Sequence, residues 1–298
     1  MSTALQHTEP TPYERRVEAV TRRGWAGSVL LPVLMAAVLL FLNGILTALA
    51  EVVLPPAEGD PSPASAAGLV GMVLSVVLGV WLLCAVSRIR PMDLGFVREG
   101  AVRGGLVGAG VAVFVMTLVF AVNALLVSID VSARLGAADV GPILLALVFF
   151  LFQGTFEELV FRLYLMPHLS VRLGVPAAIV VTSLAFAALH GANSNISAMG
   201  LVNLVLFGLV FAVAYLRTGN AWLVGIGHGI WNFTLGNAYG SHVSGLVFTH
   251  SVLGSTPTGD MGVVSGGEYG MEGSLVATVL GVALIVALWR APARRPRP

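Results

Sequence analysis

The sequence contains no lysine, a single cysteine and little charge of either sign, and each shortage removes a class of protein. Only 10% of its 298 residues are Asp, Glu, Lys or Arg, against roughly 25% in soluble domains, so a water-facing globular surface is excluded. One cysteine, Cys84, supports neither a disulfide framework nor a thiolate metal site. A formal net charge of +1 leaves no electrostatic footprint for a nucleic-acid partner. All sixteen basic residues are arginine. With the abundance of Ala, Val and Gly, this reads as the composition of a high-GC bacterial genome rather than as mechanism.

Apolar sequence fills the space that charge leaves. The chain is 57% hydrophobic, with a mean hydropathy of +0.91. Runs long enough to cross a bilayer lie at about 25–50, 67–87, 104–128, 140–166, 175–189, 197–216, 221–239 and 273–289. They predict an all-α polytopic membrane protein, a bundle of about eight transmembrane helices. The expected division is an N-terminal tail over 1–24, one transmembrane domain over 25–290 and an Arg-rich tail over 291–298. No internal repeat is evident, which argues against a transporter built from two inverted halves.

Arginine placement predicts orientation. With the N-terminus in the cytoplasm, fourteen of the sixteen arginines fall on cytoplasmic segments. An even number of helices returns the C-terminus to the same side. The expected location is therefore a bacterial inner (plasma) membrane, with both termini cytoplasmic. Trp25, Trp222, Trp289, Tyr164, Tyr215 and Tyr239 sit near helix ends, as an interfacial aromatic belt requires. The first run ends in Ala48-Leu49-Ala50, like a cleavage site, but its leader and apolar core are longer than a signal peptide's, so it reads as an uncleaved anchor.

One stretch interrupts the apolar pattern. Within 149–162, Glu157, Glu158 and Arg162 lie inside a membrane-length run. A charge near the bilayer centre costs at least ~2.5–3.5 kcal/mol, so such residues mark function. Glu158 and Arg162 are one helical turn apart and suited to pair, whereas Glu157 points elsewhere and is free for chemistry. Downstream, Phe186 and His190 close the fifth run before the polar 191–195 break, and His228 with Asn232 shares one face of the seventh. His7, His168, His242 and His250 read as solvent-facing or interfacial.

These residues carry a resemblance. Glu157-Glu158-x-x-x-Arg162, Phe186-x-x-x-His190 and His228-x-x-x-Asn232 resemble, in order and spacing, the three motifs of the CAAX-protease and bacteriocin-processing family. That family, also called Abi, includes the type II CAAX prenyl endopeptidases and lysostaphin resistance protein A. The matching core spans 140–240. The resemblance implies an intramembrane endopeptidase with Glu157, Glu158, Arg162, His190, His228 and Asn232 as its catalytic set.

The residue chemistry agrees. Amide hydrolysis needs a base, a holder for the water and donors for the oxyanion. Glu157, desolvated among Phe156, Leu159 and Phe161, is placed to take a proton from water. His190 is suited to hold that water and protonate the leaving amine, and His228 and Asn232 to donate to the oxyanion. Glu158 with Arg162 fixes the helix. A metal reading stays open, because Glu157, His190 and His228 form a set of two imidazoles and one carboxylate suited to Zn2+; the metal-free glutamate reaction is favoured. The expected substrate is a peptide or membrane-protein segment in the lipid bilayer, met near the cytoplasmic face. Prenylated substrates are not expected in a bacterium. Alternatives of other classes are a non-catalytic immunity or regulatory scaffold of the same fold, and an ion- or proton-coupled transporter. The Gly-rich 241–272 stretch reads as a flexible outer connector.

Overall fold

The computed structural model describes residues 12–21, 24–58, 62–126, 129–136, 139–258 and 262–290. His7, Arg22, Arg23 and the Arg-rich tail lie outside them. The chain is an all-α polytopic membrane protein. Helix α1 (Pro12–Thr21) is followed by a π turn at Ala26–Leu30, α2 (Leu31–Val53), α3 (Ala66–Ser87) and α4 (Ala101–Leu125). Then come strand β1 (Ile129–Ala133), α5 (Val140–Glu158), a second π turn at Leu159–Leu165, α6 (Met166–Leu173), α7 (Val175–Leu189) and α8 (Ala198–Thr218). Helix α9 (Ala221–Phe233) runs into a third π turn at Thr234–Ala238, and the chain closes with β2 (Leu253–Pro257), α10 (Gly262–Ser265) and α11 (Leu275–Arg290). Strands β1 and β2 form a small antiparallel ribbon in which Val131 pairs with Ser255.

Among the described residues, length and apolarity qualify six helical stretches for crossing a membrane: Ala26–Val53, Ala66–Ser87, Ala101–Leu125, Val140–Leu173, Val175–Ala192 and Ala198–Thr218. The eight expected runs thus divide into these six and two shorter helices, α9 and α11. The bilayer explains the outer surface: Phe41, Trp81, Val52, Val102 and Phe114 are each more than 60% exposed, a belt that lipid rather than water covers.

Small residues bring α9 into the middle. Helix α9 runs parallel to α4, where Gly108 meets Leu223 and Gly227, and antiparallel to α5, where Gly154 and Gly229 touch. A Cβ at Gly229 would collide with the carbonyl of Phe150. Close approach of backbones through small residues is how helices associate in lipid, where tails compete equally for apolar surface. Gly229→Ala is therefore expected to lower thermal stability in detergent by the ~1–3 kcal/mol of an overpacked interface. Gly191→Ala, whose Cβ meets nothing within 4 Å, should leave the melting temperature unchanged.

Among the described residues the connections fall at two ends. One end carries the 88–100, 174 and 219–220 turns and the end of α11; the other carries 54–58, 62–65, 129–136, 190–197, 239–258 and 262–274. The segment 12–21, read as tail, is a helix whose Tyr13 is 3% exposed, with its ring edge-on to Tyr215 at a centroid distance of 6.2 Å. Burial pushes the Tyr13 hydroxyl above its ordinary pKa. The same packing corrects three sequence expectations. His168, expected at an interface, is fully buried with Nδ1 2.7 Å from the Tyr164 carbonyl. Tyr164 and Tyr215, assigned to the aromatic belt, are also fully buried; Tyr164 shares a hydrogen bond with Ser87 and Tyr215 donates to the Leu94 carbonyl. The apolar run continues as helix to Leu173, beyond the 166 expected, and α1 covers it. Trp25 and Trp289 do face outward, at 60% and 68% exposure.

Candidate active site

The three motif helices deliver their polar side chains to one chamber. Helix α5 supplies Gln153 and Glu157, the end of α7 supplies His190, and α9 supplies His228 and Asn232. The antiparallel α5–α9 contact at Gly154 and Gly229 puts His228 one residue from the crossing, which sets its reach to the paired glutamates. The α-helix breaks into π geometry immediately after Glu158 and again after Phe233. Such insertions recur at functional sites because they re-aim side chains without ending the helix.

Glu158 is the structural acid. It is fully buried and accepts from Arg162 Nη1 at 3.1 Å and from His228 Nδ1 at 2.8 Å. The Arg162 guanidinium, also fully buried, lies 4.4 Å from the centroid of the Phe186 ring. Among the described residues Glu158 Oε2 and Arg162 Nε and Nη2 find no hydrogen-bond partner, so the pair rests on the single Nη1–Oε1 contact, the His228 bond and the aromatic face.

Glu157 is the acid facing the chamber. Its Oε1 accepts from Gln153 Nε2 at 2.6 Å, and Gln153 Oε1 in turn accepts from Asn232 Nδ2 at 2.9 Å. Nε2 of His190 stands 3.7 Å from Glu157 Oε1, and Nε2 of His228 stands 3.5 Å from Oε2. Hydrogen-bond partners assign the tautomers. His190 Nδ1 faces the Phe186 carbonyl at 2.9 Å, which can only accept, so Nδ1 carries the proton. His228 Nδ1 donates to Glu158 by the same reasoning. In their neutral state both imidazoles would turn Nε2 lone pairs toward a carboxylate that also only accepts. Glu157 Oε2 is buried and has no hydrogen-bond partner among the described residues. A donor belongs between these groups, and a water molecule supplies two.

The six residues singled out in the sequence therefore divide. Glu157, His190, His228 and Asn232 line the cavity, while Glu158 and Arg162 stand behind it and hold His228. Asn232 directs one amide hydrogen to Gln153, leaving its second for a ligand. Among the described residues no group of three or more His, Cys, Asp or Glu is arranged to hold a metal ion.

Two functional candidates escaped the sequence reading. Gln153 lies one turn before Glu157 on the same face, a spacing that does signal it. Glu272, which falls in the stretch read as an outer connector, is 5% exposed and lines the chamber. The loop that carries it is not a loose connector. His250 Nδ1 sits 2.7 Å from Asp139 at the start of α5, and Asn237 donates to the His250 carbonyl. The His250 hydrogen bond, with a second from the Gly136 N–H, holds the Asp139 carboxyl below its ordinary pKa. Gly245, at φ +81°, has no room for a Cβ beside the Ser194 carbonyl, so the loop is fastened where it passes the α7–α8 turn.

The chamber is about 260 Å³ and its walls are aromatic: Phe149, Phe150, Phe186, Phe207, Phe211 and Trp231. Pro63, Asn193, Val243, Ser244, Leu246, Phe248 and Glu272 also line it, all from the end of the bundle opposite α1. The polar turn after His190 reaches the cavity through Asn193.

Residues 139–234 match the family model described as type II CAAX prenyl endopeptidase, Rce1-like. That span holds every motif residue, from the first turn of α5 to the end of α9. No curated protein and no solved structure matches the chain.

Proposed function

Through residues 139–234 this chain belongs to the CAAX protease family, and from that membership we propose an intramembrane endopeptidase that hydrolyses a peptide bond with a glutamate-activated water. The observation that carries the reading is Glu157, flanked by two imidazole lone pairs and an amide donor in one aromatic-walled chamber. Water lodges against Glu157, with its second hydrogen on a histidine Nε2. Glu157 takes a proton as the water oxygen adds to the carbonyl carbon. The free amide hydrogen of Asn232 donates to the oxyanion, where one donor is typically worth ~2.7–4 kcal/mol. Collapse breaks the C–N bond, and the proton held by Glu157 passes to the leaving amine, directly or through His190. Glu158 and Arg162 act by holding His228 in the tautomer that faces the water.

Hydrolysis is preferred over an ion pathway because the titratable side chains of α5, α7 and α9 gather in one chamber rather than string across the bundle. In a second reading Glu157, His190 and His228 would be the residues to hold Zn2+, which would supply Lewis-acid polarisation of the carbonyl, although among the described residues no such group is arranged for a metal ion. Every loop that lines the chamber lies at the end of the bundle opposite α1, which supports substrate entry from that end.

A panel of quenched fluorescent peptides offered to purified protein tests the reading, with Glu157→Ala alongside and with chelator and Zn2+ titrations. We expect wild-type cleavage that is lost in Glu157→Ala and unchanged by chelator. Loss with chelator and rescue by Zn2+ moves the reaction to the metal reading. Folded wild-type protein that cleaves nothing overturns the protease in favour of a scaffold.

A further inference from the structure

We propose that Glu272 makes this chamber selective for a positively charged group, an Arg or Lys side chain or an amino terminus, next to the bond to be cut. The inference rests on reading the cavity as the cleavage chamber. It names a substrate class that the three motifs do not contain.

Glu272 is built into place from both sides. Asn203 on α8 donates through Nδ2 to the carbonyls of Glu272, at 2.7 Å, and Ser274, at 2.9 Å, and is itself oriented by Thr278. The side chain reaches back, and Oε1 accepts both the N–H and the hydroxyl of Ser244, the latter at 2.7 Å. Ser244 is held in the left-handed region at φ +50°, with its carbonyl bound by Asn193 near His190. Both of these donors go to the same oxygen, Oε1. A carboxyl 95% buried and lining a cavity is stabilised by a donor or a positive charge that enters it. Burial raises its proton affinity, an effect the Ser244 donors oppose.

The charge balance of the chamber says what enters. Its titratable lining is Glu157, Glu272, His190 and His228, with no arginine. Arg162 is walled off behind Phe186 and occupied by Glu158. An incoming carboxylate, such as the free C-terminus of a short leaving peptide, meets two acids and no cation. An ammonium or guanidinium enters a cavity lined by two acids and by the aromatic rings of Phe207, Phe211 and Trp231, residues whose faces attract cations. Glu272, His190 and His228 line the same cavity, so a cation bound there shares it with the reacting groups.

The test measures binding separately from cleavage. Fluorescent peptides with an N-methylated scissile amide, matched except for Arg, Gln or Glu beside that bond, are titrated into the purified full chain by anisotropy, with free and acetylated amino termini. The Arg peptide should bind at least ~10-fold tighter than the Gln peptide, with Glu weakest. In Glu272→Gln, which keeps an acceptor for Ser244, the ratio should fall to within ~2-fold. Ser244→Ala, which loosens the loop contact but keeps the charge, should retain the ratio. A free-over-acetylated preference that vanishes in Glu272→Gln supports the proposal equally and assigns the cation to an amino terminus. An unchanged ratio in Glu272→Gln overturns the proposal, as does wild-type binding indifferent to charge or tightest for Glu. Charge-selective binding without cleavage of the unmethylated peptides would remove the protease reading and leave the cation site standing.

Discussion

Glu157→Gln is expected to abolish peptide cleavage, with a fall of at least ~10³-fold in kcat and little change in melting temperature. The substitution is nearly isosteric and keeps an oxygen to accept from Gln153 Nε2, so the α5–α9 contact survives. What disappears is the base, and an amide in its place takes no proton from water. Glu158→Gln should differ in kind. It removes the charge that holds Arg162 and weakens the acceptor that fixes His228 Nδ1, so melting temperature and kcat fall together. Measuring kcat and thermal denaturation on both variants in one detergent separates the roles. Full activity in Glu157→Gln beside an inactive but stable Glu158→Gln would exchange the two assignments.

The second large effect is on stability. Arg162→Met should destabilise the protein by about 3–5 kcal/mol, the usual cost of leaving one member of a buried ion pair alone. Glu158 is fully buried and would keep only His228 as a partner. The Phe186 ring, 4.4 Å from the guanidinium carbon, would also lose its cation. Removing both charges in Glu158→Gln/Arg162→Met should recover a good part of that loss, because no uncompensated charge then remains in the core. Thermal denaturation of the two variants and wild type checks this. A single variant as stable as wild type would mean that the pair does not hold the bundle together.

The two expectations draw on different parts of one motif. Glu157 and Glu158 are neighbours in the chain, yet one faces a chamber and the other a guanidinium. That division was legible in the sequence from the helical angle between adjacent residues and the i, i+4 offset to Arg162. The bilayer class was equally legible, because too few charges leave no soluble alternative. His190, His228 and Asn232 were found because ionisable and amide groups in apolar helices stand out against their surroundings.

What stayed hidden depended on contacts between distant segments. Nothing local in 12–21 distinguishes a helix packed over α6 from a polar tail. His168 and Tyr164 look interfacial until that packing covers them. Gln153 donates to Glu157 one turn away, a local signal, but its second partner Asn232 lies 79 positions away on α9. Glu272 sits in a Gly-rich stretch that reads as solvent, and only Asn203, Ser244 and the α7–α8 turn bring it to the chamber that holds His190. By itself the sequence determined the environment, the helices and which groups were too costly in lipid to be incidental, since these follow from side-chain chemistry and a 3.6-residue period. Only the tertiary structure decided which atoms of those groups face one another and from which end the chamber is lined, because lone-pair direction and burial are properties of packing, not of spacing along the chain.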